Sequence, residues 1–346
     1  MIELKRDQLV FSFPEIHPKA KLTISFQRTL RIPDDGRHYS LPPGLGDFPL
    51  RHVDDYASRV ASSWLKRGGV MFPMYQSEAM WITVNSDYID DHRTEYPFAI
   101  KVAAGKIDAI TGKKWSEKLK GKPQNYMVAP EQPWLDGFCV KKGTIRQFIA
   151  MPLGAGYSAE EQITGEAEYG GLQLLVCPMK RKVFEQRFPK IKEQIRQIES
   201  FAHYDDLSEA IPCCLSDMGL APGGQMKQEI YEDPFKLSDW DQTTTSRCFV
   251  HIANSMVWSS ITGGQPPTPP PTAKEYTRAG LPWFDYYNET ARPLDGSAVL
   301  ENLKSVAEMG AEMGDVPLPE NESATPENIV QIRHGLKKGQ VREGSF

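Results

Sequence analysis

The chain lacks long apolar runs, and this absence argues against a protein that spans a membrane or is secreted. No stretch of its 346 residues approaches about 18 consecutive uncharged apolar side chains, the length that a membrane-spanning helix needs. The first residues, MIELKRDQLVFSF, also lack the apolar segment of a secretory signal peptide. We therefore expect a cytoplasmic protein with no membrane partner.

Cysteine and histidine are few and are badly spaced for a metal site. The five cysteines form an odd set, which does not suit a disulfide-stapled secreted domain. None of the seven histidines stands at metal-ligand spacing from a cysteine or carboxylate partner. The sequence therefore predicts reduced thiols and no metal site.

Motifs for nucleotides and nucleic acids are missing as well. Neither GxGxxG nor GxxxxGK[ST] occurs, so we assign Gly154 and Gly156 to tight turns. The net charge of -5 provides no positive field to hold nucleic acid. We predict no cofactor and no nucleic-acid partner.

The sequence does contain frequent turns between short apolar runs. Proline and glycine number 27 each, and Leu22, Ile24 and Phe26 alternate with the period of a strand that has one buried face. Residues 137–153 predict a hairpin, because Gly143 suits a left-handed turn position. These patterns predict an α+β fold. We expect a β-rich core that resembles a sandwich or a barrel. A few amphipathic helices accompany it, mainly in the C-terminal half of the chain.

Apolar residues at helical spacing predict three helices. Their stripes comprise Val53, Tyr56, Val60 and Trp64; Phe184, Phe188, Ile191, Ile195 and Ile198; and Val299, Leu300, Leu303, Val306 and Met309. The composition changes near residue 180. We therefore expect either a β-rich domain at 1–179 followed by an α+β region at 180–346, or one compact body formed by both.

Residues 263–289, which we call the strap, begin with a proline-rich stretch and end in aromatic side chains. From Pro266 to Thr272 the prolines favour an extended polyproline II path of roughly 20 Å. The following aromatic anchor contains Trp283, Phe284, Tyr286 and Tyr287. Such rings are costly to expose to water. We expect the anchor to pack on its own body or on a neighbouring subunit.

Carboxylates cluster between residues 229 and 241. Asp239 and Asp241 flank Trp240, and Glu229 and Glu232 stand shortly before them. Paired carboxylates beside tryptophans are typical of glycosidases, where the acids transfer protons and the rings stack on sugars. The alternative is a polar loop in which the aspartates cap backbone groups and the tryptophan belongs to the core.

Three functions remain open on the sequence alone. The leading one is a non-catalytic β-rich protein that works by self-assembly or by binding a partner, as a homo-oligomer or part of a protein assembly. Its predicted binding residues are Trp134, Trp240, Trp283, Phe284, Tyr286 and Tyr287. The second is a carboxylate-dependent hydrolase of carbohydrate-like substrates that uses Asp239, Asp241, Glu229 and Glu232. The third is a small-molecule or glycan binder with Trp134, Trp240, Trp258 and Trp283 as stacking surfaces.

Overall fold

Short strands make up most of the regular structure. The computed structural model of the chain describes residues 1–190, 217–288 and 291–333. The strands are β1 Ile2–Lys5, β2 Gln8–Ser12, β3 Lys21–Thr29, β4 His38–Tyr39, β5 Gly44–Asp47, β6 Arg51–His52, β7 Val70–Met74, β8 Ala79–Ser86, β9 Tyr88–Ile89, β10 Thr94–Glu95, β11 Phe98–Ala104, β12 Ile107–Asp108, β13 Met127–Ala129, β14 Trp134–Leu135, β15 Gly137–Lys141, β16 Thr144–Pro152, β17 Leu172–Pro178, β18 Met218–Lys227, β19 Ser246–Asn254, β20 Trp283–Tyr287 and β21 Ile329–Arg333. The helices are α1 Ser62–Arg67, α2 Ala159–Thr164, α3 Arg181–Arg187, α4 Ser255–Thr262, α5 Ala273–Arg278, α6 Ala298–Glu301 and α7 Val306–Met313. This confirms the predicted β-rich α+β class, with most of the helices in the C-terminal half.

The first large sheet is built around the amphipathic strand β3. Its strands follow the order β1-β2-β3-β8-β16-β18-β4, with β5, β14 and β15 paired to β3, β8 and β16. Leu22, Ile24 and Phe26 of β3 are fully buried, as their alternation predicts. The predicted hairpin is confirmed as β15 and β16, with Gly143 in the left-handed region at φ +70°.

The second large sheet has strands that are buried on both faces. Its order is β12-β11-β17-β19-β7-β6, with β13 paired to β11. Every residue of β11 and β17 is buried, which accounts for their nearly continuous apolar sequence. The strands β19 and β7 run parallel, whereas β17 is antiparallel to both of its neighbours, β11 and β19.

Ring contacts join the two sheets into one core. The ring centroids of Phe26 in β3 and Phe72 in β7 lie 5.1 Å apart, and those of Phe13 and Phe98 lie 5.8 Å apart. Strands from both sides of residue 180 contribute to each sheet, because β18 pairs with β16 and β19 pairs with β17. Segments from before and after residue 180 are therefore neighbours within each sheet.

Two of the predicted helices differ in the structure. The stripe from Val53 to Trp64 forms a 3₁₀ turn, Asp54–Tyr56, and the short helix α1. The buried Arg59 holds the intervening turn by donating a hydrogen bond to the carbonyl oxygen of Ile261 at 2.7 Å. Tertiary contact therefore overrides the helical spacing at this point.

The stripe from Val299 to Met309 is divided between α6 and α7. Ser305 begins α7 with a capping box to Glu308, and this local signal starts a new helix. The third predicted helix begins as α3, but its stripe beyond Lys190 lies outside the described residues. Within the described ranges, no helix is long and apolar enough to cross a bilayer.

The proline-rich part of the strap is held against the first sheet by a buried arginine. Arg28 of β3 donates hydrogen bonds from Nε at 3.0 Å and from Nη2 at 2.8 Å to Oε1 of Glu78. Its Nη2 also donates to the carbonyl oxygen of Thr268. Thr272 then caps α5 in a capping box with Glu275. The strap is therefore held in the middle of its proline run, at Thr268, and at the end of that run, at Thr272.

The aromatic anchor of the strap packs on the body of its own chain. Trp283 is fully buried and donates a hydrogen bond from Nε1 to Oγ1 of Thr277 at 3.2 Å. Phe284 and Leu41 exchange backbone hydrogen bonds of 2.7 and 2.9 Å. On its other side β20 pairs in parallel with β21. The anchor thus attaches a small two-stranded sheet to the body.

Candidate functional site

The predicted acids Asp239 and Asp241 line one groove of about 790 Å³, but both are engaged in local structure. Oδ2 of Asp239 accepts hydrogen bonds from Arg187 at 2.7 Å and from the backbone N–H of Lys236 at 3.2 Å. Oδ1 of Asp241 accepts hydrogen bonds from Thr243 and Thr244. Burial raises the pKa of Asp241, but these hydrogen bonds outweigh it and hold the pKa below its usual value. Both aspartates therefore fasten turns.

The two predicted glutamates, Glu229 and Glu232, do not line the groove that contains Asp239 and Asp241. Glu232 lines a different cleft, of about 610 Å³, together with Asp295. Glu229 lies outside both cavities and contacts the hydroxyl of Tyr231. A glycosidase needs two carboxyl groups that face one substrate position. The four candidate acids are not brought together in one cavity.

Asp233, which lines the same cleft as Glu232, ties Trp240 into the core. Its Oδ2 accepts hydrogen bonds from the hydroxyl of Tyr126 at 2.5 Å and from Nε1 of Trp240 at 2.8 Å. Burial and the hydrogen bond to Asp233 raise the pKa of Tyr126. Trp240 is buried, as are Trp258 and Trp283. These three tryptophans offer no ring face to a ligand in this conformation.

Half-buried aromatic rings meet where β20 approaches the first sheet. We call Trp81, Trp134 and Tyr286 the aromatic patch. The ring centroids of Trp134 and Tyr286 lie 4.6 Å apart, and those of Trp81 and Trp134 lie 6.0 Å apart, both pairs in edge-to-face orientation. Phe284, also half-buried, lies on the same face of β20 as Tyr286. Three of the predicted binding residues, Trp134, Phe284 and Tyr286, are therefore neighbours.

Trp81 belongs to this patch but was missed as a candidate binding residue. Its signal is its position in β8, where Met80, Ile82 and Val84 are buried and Trp81 falls on the opposite face. Together with Trp134 and Tyr286, its ring forms a contiguous aromatic surface, and such patches mark interaction sites. Nε1 of Trp81 is buried and has no hydrogen-bond partner among the described residues. The side chain of Tyr287, another predicted binding residue, lies outside the described part of the structure.

The strand β21 forms the outer edge of the small sheet beside the aromatic patch. Within the described residues, β21 pairs only with β20. Ile329 and Ile332 are 43% and 42% exposed, and Leu281, which precedes β20, is 45% exposed. An open strand edge with exposed isoleucines is a template for pairing with another strand.

Neither a metal site nor a known family accounts for these features. Among the described residues there is no group of three or more histidines, cysteines or acids that could hold a metal ion. No protein-family model matches the sequence, and no curated protein or solved structure is significantly similar to it. The functional argument therefore rests on the local geometry.

Glu131 is a half-buried carboxyl group whose Oε2 atom is buried without a hydrogen-bond partner in the described structure. Burial raises its pKa to about 7. The folded state favours the protonated form of Glu131. The stability that this carboxyl group contributes is therefore fully present below the ordinary pKa of 4.5, and it is lost as the pH rises through about 7. We expect Glu131→Gln to stabilise the fold at pH 8 by about 2–3 kcal/mol and to have no effect at pH 4.

Urea denaturation of both proteins across this pH range measures the difference directly. Asp136, whose pKa burial also raises to about 7, is present in both proteins and cancels in the comparison. Glu166→Gln, at an exposed position, is the matched control and should show no pH-dependent difference. A Glu131→Gln effect that stays constant with pH would contradict the assigned burial of the charge.

Proposed function

We propose that this chain is a non-catalytic protein that works by self-assembly, with a second copy of the chain as its partner. The observation that carries the proposal is the open edge of β21, where exposed isoleucines stand beside an unpaired strand edge within the described residues. A second strand added to such an edge gains backbone hydrogen bonds along its length, and exposed side chains set its specificity.

The sequence of β21, IVQIR, is suited to pairing with itself. In an antiparallel arrangement centred on Gln331, Val330 of one copy stands opposite Ile332 of the other, and the two Gln331 amides face each other. Each apolar cross-strand pair contributes roughly 0.2–1 kcal/mol. A two-fold axis repeats the contact, which closes the assembly as a dimer without leaving a growing edge.

The aromatic patch extends this interface. Tyr286 of β20 stands next to Ile332 of β21 in the register of the small sheet, and Tyr286 contacts Trp134. Tyrosine and tryptophan are enriched among the residues that contribute most to protein interfaces. The patch and the strand edge together supply an apolar centre and a backbone hydrogen-bonding rim.

We expect Ile332→Lys to abolish self-association, because the substitution places a charge on each side of the two-fold axis. The wild-type protein should show a mass that rises with concentration in sedimentation velocity, whereas the variant should remain monomeric. Met256→Lys is the matched control, because Met256 is 79% exposed on α4 and distant from β21 in sequence. Equal association of Ile332→Lys and wild type would remove β21 from the interface.

A glycan binder is the second candidate, and the half-buried rings of Trp81 and Trp134 are the observation that favours it. Edge-to-face tryptophans can present one ring face to a sugar. Quenching of tryptophan fluorescence by a sugar panel, lost in Trp134→Ala, would favour this function over assembly. The hydrolase remains an alternative without such support, because Asp239 and Asp241 are engaged in fastening turns.

A further inference from the structure

A small cationic pocket lies on the second sheet, apart from the aromatic patch and the acidic candidates. Its volume is about 290 Å³, and strands β17 and β19 contribute to its wall. Three cationic side chains line it: Arg67 at the end of α1, Lys106 in the turn between β11 and β12, and Arg247 of β19. In a protein with a net charge of -5, this concentration of positive charge requires an explanation.

Arg67 is positioned by backbone carbonyls and rings, and its charge also acts on the half-buried Asp217, whose pKa burial raises and Arg67 lowers. Arg67 donates hydrogen bonds to the carbonyl oxygens of Glu168 at 2.9 Å and Tyr169 at 3.2 Å. Its guanidinium carbon lies 4.9 Å from the ring centroid of Tyr169 and 5.3 Å from that of Phe249. No carboxylate of the described residues forms an ion pair with it. The guanidinium has five N–H donors, so donors remain for a ligand.

Lys106 is held in a backbone conformation that a lysine rarely adopts. Its φ angle of 60° lies in the left-handed region. Its N–H donates to Oε1 of the buried Gln173 at 2.5 Å, and its carbonyl oxygen accepts from Trp115 at 2.8 Å. Its ammonium lies 4.7 Å from the centroid of the same Tyr169 ring. The positive φ suits the two-residue hairpin turn Gly105–Lys106, in which Ala104 pairs with Ile107, and this turn places the Lys106 side chain over the Tyr169 ring.

Among the side chains that line the pocket, three are cationic and one, Glu117, is anionic. Arg247 forms an ion pair with Glu117, and both side chains are more than half exposed. The carboxylate of Glu168 contacts the hydroxyl of Tyr169. An exposed pair contributes little free energy, so Arg247 can exchange Glu117 for a ligand at small cost. Arg67 and Lys106 then face the ligand together with Arg247.

We propose that this pocket binds the phosphate group of a small phosphate monoester. Two guanidinium groups and one ammonium match the double negative charge and the several acceptor oxygens of a phosphate better than the single charge of a carboxylate. The volume of about 290 Å³ holds a phosphate with a compact organic group. This site is independent of the proposed self-assembly.

Isothermal titration calorimetry of the full chain with phenyl phosphate, inorganic phosphate and benzoate tests the proposal. Phenyl phosphate should bind, and inorganic phosphate should compete with it. Arg67→Met and Lys106→Met should each weaken binding at least tenfold, whereas Lys113→Met, at an exposed lysine outside this pocket, should leave it unchanged. Binding should also weaken as the salt concentration rises.

Lys106→Gly separates a binding role from a structural one. Glycine adopts the left-handed conformation without strain, so this variant should keep or raise the melting temperature while losing phenyl phosphate binding at least tenfold. No binding of either phosphate compound by the wild type would overturn the proposal. So would unchanged affinity in Lys106→Gly, and benzoate that binds as tightly as phenyl phosphate would overturn the assignment to phosphate.

Discussion

Replacing Lys101 with methionine is expected to lower the free energy of unfolding by about 3–5 kcal/mol, because it leaves a buried carboxyl group without its partner. The side chains of Lys101 and Asp108 are 1% and 2% exposed, and Nζ of Lys101 lies 3.6 Å from Oδ2 of Asp108. Nζ also donates hydrogen bonds to the carbonyl oxygens of Ser116 at 2.6 Å and Lys118 at 3.4 Å. Methionine fills the same space but donates none of these bonds.

Burial also moves the pKa values of this pair, lowering that of Lys101 and raising that of Asp108. Urea denaturation of Lys101→Met, Asp108→Asn and the double variant forms a thermodynamic cycle. The double variant should be more stable than the sum of the single effects predicts, since it leaves no unpaired charge. Lys113→Met, at an exposed lysine, is the control. A loss below about 1 kcal/mol in Lys101→Met would show that the pair is solvated.

Deleting residues 265–272 is expected to destabilise the fold by about 2–4 kcal/mol. The deletion removes the Thr268 carbonyl that accepts from the buried Arg28, and it removes the capping box of Thr272 on α5. The remaining chain must also bridge the path of the deleted residues, which is roughly 20 Å if they are extended as polyproline II. If the stretch were a flexible linker, its removal would leave the stability unchanged.

A same-length variant separates the contacts of the strap from its stiffness. Replacing Pro266, Pro267, Pro269, Pro270 and Pro271 with serine keeps Thr268 and Thr272 in place. It should cost less than the deletion, because each proline acts mainly by restricting the unfolded chain. Thermal unfolding of both variants measures the difference. A deletion variant with the wild-type melting temperature would contradict the fixed path of the strap.

Much of the fold can be predicted from local patterns. The alternation in β3 and the turn at Gly143 identify a strand and a hairpin because these signals lie within a few residues of sequence. The partners of β18 and β19 cannot be predicted in the same way. Their pairing with β16, β17 and β7 depends on contacts between residues far apart in the chain.

The errors in the helices have different physical causes. The stripe at Val53 does not form one helix, and the buried Arg59 within it donates from Nη1 to the distant carbonyl of Ile261, a contact that no local pattern reveals. The division of α6 from α7 was readable, because Ser305 and Glu308 form a capping box at the expected spacing. At this position the local helix-start signal prevails over the hydrophobic period.

The candidate site was predictable only in part. The sequence predicts Trp134, Phe284 and Tyr286 as binding residues, and they are neighbours in the structure. Trp240 and Trp283 are also aromatic and are predicted to bind on the same grounds, but they are buried. Asp239 and Asp241 resemble a catalytic pair in sequence, although their oxygen atoms accept bonds from nearby backbone groups. Only the three-dimensional contacts distinguish the two roles.

The central claim is that the protein assembles through the edge of β21, and its mass in solution tests this most directly. Sedimentation velocity from low to high micromolar concentration should show the wild type shifting from monomer towards dimer. The Ile332→Lys variant should stay a monomer throughout, while Met256→Lys follows the wild type. A wild-type protein that remains monomeric at the highest concentration would contradict the claim.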